Sequence, residues 1–189
     1  MHPRINLRRV RPDDAEMVAQ WRAEPSARRY QPLQRRTVKE LRDMLTIRGL
    51  ESISSTAIGE FQWIVETPRG DAGWVTIPIV SRKHGTASLG YTIAESHRGR
   101  GYATAAVRAV LPFVFGVDKL SLFRLEAVAA IDNMASRRVL ERCGFQLEGI
   151  ARAYLLIDGL RVDHARYALL RPDWQATMAE PAASSQQRN

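Results

Sequence analysis

The sequence predicts a single α/β domain of the α+β kind, with a mixed, mostly antiparallel central sheet of about seven strands flanked by four helices. Three observations carry this. Two helix-start signatures, Asp13-Asp14-Ala15-Glu16 and Thr37-Val38-Lys39-Glu40, stand early in the chain, each with an acidic side chain three residues after a capping one. From Glu60 the apolar residues change to a two-residue alternation, in three runs divided by turn residues, as in an antiparallel meander. A glycine-rich stretch, His97-Arg98-Gly99-Arg100-Gly101-Tyr102-Ala103, then joins the last run to an apolar helix. At 189 residues the chain has the size of one domain with its own core. Residues 1–174 are read as that domain and 175–189 as a flexible C-terminal tail.

In order along the chain, Arg4 to Val10 alternates around Ile5 and Leu7 and is a short first strand. Helix one is expected from Asp14 to Ala23, with Met17, Val18 and Trp21 on one face and Pro25 as its stop. Ser26 to Arg36 is polar, arginine-rich and aperiodic, hence a loop. Helix two runs from Thr37 to Gly49, with Leu41, Leu45 and Met44 inward. The meander comprises Phe61 to Val65, Ala72 to Ile77 and Ala87 to Ile93, separated by Pro68-Arg69-Gly70-Asp71 and Lys83-His84-Gly85. Helix three covers Thr104 to Val117 and a central strand Arg124 to Ala130. Helix four covers Ser136 to Arg142, stopped by Gly144. Two last strands, Phe145 to Leu156 and Arg161 to Leu170, flank a turn at Asp158-Gly159.

Composition narrows the function. The net charge of +8, with all but three of the 28 basic residues being arginine, favours anionic partners: a polyphosphate cofactor, an acidic substrate, or RNA and ribosomes. Cys143 is the lone cysteine, so no internal disulfide is expected, and its place at a helix end reads as a small core residue. His2, His84, His97 and His164 have no metal-ligand spacing, and no metal is expected. No apolar run approaches the ~20 residues of a membrane span, and Met-His-Pro-Arg-Ile-Asn-Leu has no apolar signal core, so a cytoplasmic location without membrane contact is expected.

The glycine-rich loop carries the chemistry. Two glycines remove side chains that would hold a phosphate off, two arginines add charge, and helix three begins without a Ser, Asp or Asn cap. Its first N–H groups need an acceptor, and a ligand phosphate is one. A Rossmann fingerprint competes, but Gly99-x-Gly101-x-x-Thr104 lacks the third glycine and follows strands that read as antiparallel.

In the order of its elements, and in Leu89-Gly90-Tyr91, Arg98 to Ala103, Arg124-Leu125-Glu126, Asn133-Met134-Ala135-Ser136, Cys143-Gly144-Phe145, Glu148-Gly149 and Asp158-Gly159 with Asp163 and Tyr167, the chain resembles the GNAT family of acyl-CoA-dependent N-acetyltransferases. Within it the likeness is to the RimJ/RimL branch, which includes ribosomal-protein N-terminal acetyltransferases. It spans Ile5 to Trp174. The resemblance implies acetyl-CoA as co-substrate, with Arg98, Gly99, Arg100, Gly101, Tyr102 and Ala103 around its pyrophosphate and Tyr91, Ile93, Asn133 and Ser136 along its pantetheine arm. It implies Ser136 as proton donor to the departing thiolate and the strand around Tyr91 to Ala94 as oxyanion donor. Two departures stand out: Leu155 replaces a glutamate that serves many relatives as base, and Ala105 replaces another glutamate. Glu126 is taken as the substitute base, with Glu60, Glu95 and Asp132 as alternatives, or else an acceptor that arrives already deprotonated. Arg29 and Tyr30 are taken to meet the acceptor. That acceptor is a protein N-terminal α-amine, as on a ribosomal protein, or an aminated small molecule or antibiotic; a ribosome-associated partner and a monomer or homodimer fit the branch. A non-catalytic RNA- or ribosome-binding module on the same fold is the alternative from another class.

Overall fold

Strand Glu60–Thr67 (β2) is apolar on both sides, and that decides the layering of the molecule. Phe61, Trp63 and Val65 face one core and Ile64 the other, so the sheet is sandwiched rather than half-solvated. A computed structural model describes residues 3–179. Within them β1 (Asn6–Arg9), β2, β3 (Gly70–Ser81), β4 (Thr86–Ser88), β5 (Gly90–Ile93), β6 (Arg124–Ala130), β7 (Gln146–Ile157) and β8 (Leu160–Leu170) form one sheet of eight strands, in the order β1-β2-β3-β4-β6-β8-β7 with β5 paired to β3. The β4–β6 pair is parallel and the other pairs are antiparallel. On one face lie α4 (Tyr102–Phe115) and α5 (Met134–Arg142), with Val107, Val110, Leu111 and Val114 of α4 packed on Phe61, Trp63 and Val75. On the other lie α1 (Ala15–Ala23) and α3 (Val38–Leu50), whose Val18, Trp21, Leu41 and Leu45 cover Ile64 and Trp74; the Trp21 and Trp74 rings stack at 6.1 Å.

Several expectations are corrected. The predicted strand Ala87 to Ile93 is two: Leu89 N–H still donates to the Glu126 carbonyl at 2.7 Å, but from Gly90 on the chain pairs with β3 alone. Gly90 permits that turn, since a Cβ there would lie 2.6 Å from Thr76 Oγ1. The Asp13–Glu16 capping box does not form. Asp14 becomes the N-cap without a side-chain cap bond, because Arg8 of β1 grips both its carboxylate oxygens at 3.0 and 3.1 Å while also binding Glu66 and Asp71. The same carboxylate accepts from the Arg11 N–H at 2.7 Å, so it serves the turn before α1 and the ion network rather than the first turn of α1. The Thr37–Glu40 box does form. Pro25 stops α1 and also starts a further helix, α2 (Pro25–Arg28), inside the predicted loop; proline suits a first helical position, and buried Ala27 anchors it. Residues 175–179, expected in the tail, complete α6 (Arg171–Ala179), held by Trp174 against Phe115 at 5.5 Å between rings. The remainder of that tail, 180–189, lies outside the described residues. The described helices therefore number six, not four.

Candidate active site

The parallel pair ends at Ser88–Glu126. Beyond it β5 continues with β3 and β6 continues with β8, so the two strands part and a cleft of about 500 Å³ opens between them. Alternation fixes which backbone groups face the gap. Ala94 N–H donates to Ala72 of β3, as even-numbered residues of β5 do, whereas the Tyr91 carbonyl accepts from Gln31 Nε2 at 3.3 Å and the Ile93 carbonyl from Arg98 Nε at 2.9 Å. Residues 91 and 93 thus turn their N–H and C=O toward the opening.

At one end of β5 the glycine-rich loop takes the expected form. Gly99 and Gly101 have φ of +74° and +77°, and Gly101 is the N-cap of α4 with no side-chain cap bond. An L side chain at either position would be strained, and a Cβ at Gly99 would stand in open space. Among the described residues no side chain caps the start of α4, and its first N–H groups follow a bare backbone turn, the arrangement that suits a phosphate. Arg98 and Arg100 fold onto carbonyls of Ile93 and Ser96. Tyr102 is buried in the core and so offers the cradle only its backbone.

At the other end, Asn133 caps α5 by accepting from Ser136 N–H at 3.1 Å. Ser136 Oγ lies 2.8 Å from Tyr91 Oη, which also donates to the Ser136 carbonyl at 3.2 Å. This bond bridges the parted strands through α5. Burial pushes the Tyr91 phenol up to about 12, so it keeps its proton at neutral pH. Cys143 is buried, donates weakly to the Thr104 carbonyl, and its thiol is pushed up to about 11 by burial; it is a core residue and no nucleophile.

The sheet's α1/α3 side forms the other wall. Arg22, Tyr30, Gln31, Arg36 and Arg48 line it, with Trp74, Val128, Leu155 and His164 opposite. Burial lowers the pKa of Arg48 and of Arg22, the latter further depressed by Arg36, Arg48 and Arg28. The lining carboxylate, Glu60, is paired with Arg48, which also donates to Gln62 at 2.6 Å. Leu155 does face the cleft. Tyr30 does too, while exposed Arg29 stacks over the Tyr30 ring at 5.1 Å instead of lining the cavity. Glu126 does not reach the cleft: it sits in an adjoining depression of about 90 Å³, where Arg124 holds it at 2.7 Å together with Glu148. Glu95 is likewise occupied, accepting from the Ser26 backbone at 3.2 Å. Arg22, Arg48, Gln31 and His164 escaped the sequence reading; isolated in their elements, they carry no spacing that marks a cleft.

A family profile described as Acetyltransferase (GNAT) domain matches residues 4–146. The chain belongs to the GNAT acetyltransferases. It is 28% identical over 172 residues to "Uncharacterized N-acetyltransferase p20" of Bacillus licheniformis, covering 90% of this chain and 95% of that one. It is 37% identical over 86 residues to the "[Ribosomal protein uS5]-alanine N-acetyltransferase" of Escherichia coli (strain K12), covering 46% and 43%. Among solved structures, spermidine N-acetyltransferase from Vibrio cholerae in complex with CoA and spermine superposes with a TM-score of 0.77 at 21% identity, covering 90% of this chain and 98% of that one, a likeness of fold. As a GNAT enzyme the chain uses acetyl-CoA and an amine acceptor. Among the described residues no cluster of His, Cys, Asp and Glu could hold a metal, and no helix is long and apolar enough to cross a membrane.

Proposed function

We propose that this GNAT enzyme acetylates an α-amine whose neighbouring groups are acidic, with a protein N-terminus as the acceptor, in the cytoplasm. The observation that carries this is the wall of Arg22, Arg36 and Arg48 with Glu60 as its carboxylate. Burial and the neighbouring guanidiniums of Arg36, Arg48 and Arg28 depress Arg22, Glu60 is already taken by Arg48, and an acceptor that brings carboxylates supplies further anions to this wall. A polyamine meets the opposite field. The likeness to a ribosomal-protein alanine N-acetyltransferase supports a protein N-terminus and, with it, ribosome association.

The loop from Arg98 to Ala103 would hold the pyrophosphate, and Tyr91, Ile93, Asn133 and Ser136 would line the pantetheine path: α4 starts without a side-chain cap bond, and the chain that leads from β5 into that start turns the backbone of residues 91 and 93 away from β3. The amine nitrogen attacks the thioester carbonyl, the C–N bond forms and the C–S bond breaks. N–H groups on the free edge of β5 stabilise the oxyanion as it develops. The hydroxyl pair Tyr91–Ser136 supplies the proton to the leaving sulfur, Tyr91 retaining its own because burial holds its pKa high.

The test is a kinetic comparison of peptides beginning Ala-Glu-Glu, peptides with a free lysine side chain and a blocked N-terminus, and spermidine, at low and high salt. The acidic α-amine should give the highest kcat/KM, and salt should erode its lead by screening the arginines. α-Amines also hold an advantage through a pKa of ~8 against ~10.4 for lysine. Highest kcat/KM for spermidine would overturn the acceptor assignment.

A further inference from the structure

His164 is buried at 1% exposure, yet it lines the acceptor wall of the cleft. Its Nδ1 lies 2.9 Å from the Val162 carbonyl on the same strand. A carbonyl can only accept, so Nδ1 carries a proton, and it is Nε2 that holds the lone pair of the ring in its neutral form. That Nε2 is itself buried and has no hydrogen-bond partner among the described residues. A buried acceptor left unpaired is costly, and in a folded protein it calls for an occupant.

The rest of the cleft gives this unpartnered nitrogen its significance. An amine that arrives as an ammonium must lose a proton before its nitrogen can attack, and few lining groups can take one. Glu60 is engaged by Arg48. Tyr91 holds its proton. Arg22, Arg36 and Arg48 are donors only. Leu155, beside His164 on the same sheet face, is apolar. The Tyr154 ring stands edge-on to the imidazole at 5.8 Å, closing its outer side.

We infer that His164 is the proton acceptor of the acetyl transfer: its Nε2, directly or through one water, removes a proton from the acceptor ammonium. The N–H bond breaks, the imidazole becomes an imidazolium, and the freed nitrogen lone pair forms the C–N bond. The leaving thiolate takes a proton from the Tyr91–Ser136 hydroxyl pair and departs as CoA thiol, the second amine proton replaces the one the hydroxyl gave, and the imidazolium returns its proton to solvent. Because Nδ1 stays fixed on the Val162 carbonyl, the ring cannot swing away between steps. The inference rests on acetyl transfer to an amine, whichever amine the arginines select.

His164→Gln keeps the size and polarity of the side chain without the base. With whichever amine of the panel turns over fastest, kcat should fall about 10²–10⁴-fold near neutral pH, the acetyl-CoA KM should stay within about 3-fold of wild type, and the loss should shrink steadily as pH rises and the free amine takes over. Added imidazole should restore part of the rate in His164→Ala. A loss that is equal at every pH, or a rate within about 3-fold of wild type at neutral pH, overturns the assignment. A measurement on the intact enzyme needs neither variant nor acceptor: two-bond 1H–15N spectra at neutral pH should show His164 protonated on Nδ1 and bare on Nε2. A proton found on Nε2 overturns it equally.

Discussion

The backbone and the hydroxyl of Ser136 have different jobs, and substitution separates them. Its backbone N–H satisfies the Asn133 cap, which Ser136→Ala leaves intact, while its hydroxyl meets Tyr91. Ser136→Ala should therefore lower kcat about 10–10³-fold with acetyl-CoA affinity and melting temperature near wild type, and Tyr91→Phe should produce the same pattern if the two hydroxyls act as one donor. Steady-state kinetics beside a thermal melt read both. Asn133→Ala should instead cost about 1 kcal/mol of stability through the lost cap and weaken acetyl-CoA binding as well, measured by denaturant unfolding and calorimetric titration. At this scale the sequence was informative where a residue's role is local. Asn133 as a cap and Cys143 as core could be read from position, whereas the placement of Glu126 could not, because its partner Arg124, two residues away on the same strand face, holds it in the adjoining depression.

Among the elements, α4 starts at a glycine with no side-chain cap bond among the described residues. A ligand that binds only the folded state stabilises by mass action, about 2.7 kcal/mol at a hundredfold excess over its Kd, so acetyl-CoA should raise the melting temperature. Gly101→Val, forced into a left-handed conformation at φ +77°, should remove that rise while the apo protein remains folded; differential scanning fluorimetry with and without acetyl-CoA decides it. The β6–β7 clamp has its own signature. Arg124 holds the Glu148 carboxyl below the usual carboxylate range. A depressed folded-state pKa adds stability above the unfolded value of ~4.3 that is lost as pH falls through the folded one. Wild type should thus lose more melting temperature than Arg124→Gln between about pH 5 and about pH 3. Element order, the capping box at Thr37 and the meander were legible because periodicity and caps are local signals. The division of β4 from β5 was not, because it depends on which neighbour each half finds across the sheet.

For the whole molecule, the arrangement of charge is the readable quantity. The excess of arginine was plain in the sequence, but its meaning depended on α1, α3 and the segment between them bringing Arg22, Arg36 and Arg48 to one wall from positions without common spacing. Arg22→Ala with Arg36→Ala should lower kcat/KM for an Ala-Glu-Glu peptide about 10-fold or more, flatten its salt dependence and narrow the gap to spermidine, in the same kinetic comparison that tests the acceptor.

One feature of β7 bears on how such a cleft can diverge. Between Ala151, paired with His164, and Leu155, paired with Val162, β7 carries two more residues than β8, with Ala153 at φ +52° and its N–H bound to Asp163 Oδ1 at 2.7 Å. Because side chains alternate with a period of two, an insertion of two keeps every residue beyond it on its own face, while an insertion of one would turn them all over. The hairpin can gain or lose this pair in frame. Excising Ala153 and Tyr154 together should leave Leu155 in the wall yet strip the ring from His164, whereas excising Ala153 alone should reverse the strand from Leu155 to Ile157. Length at this point, counted in twos, is a route by which the acceptor side can change how much water reaches the imidazole without disturbing the sheet that holds it.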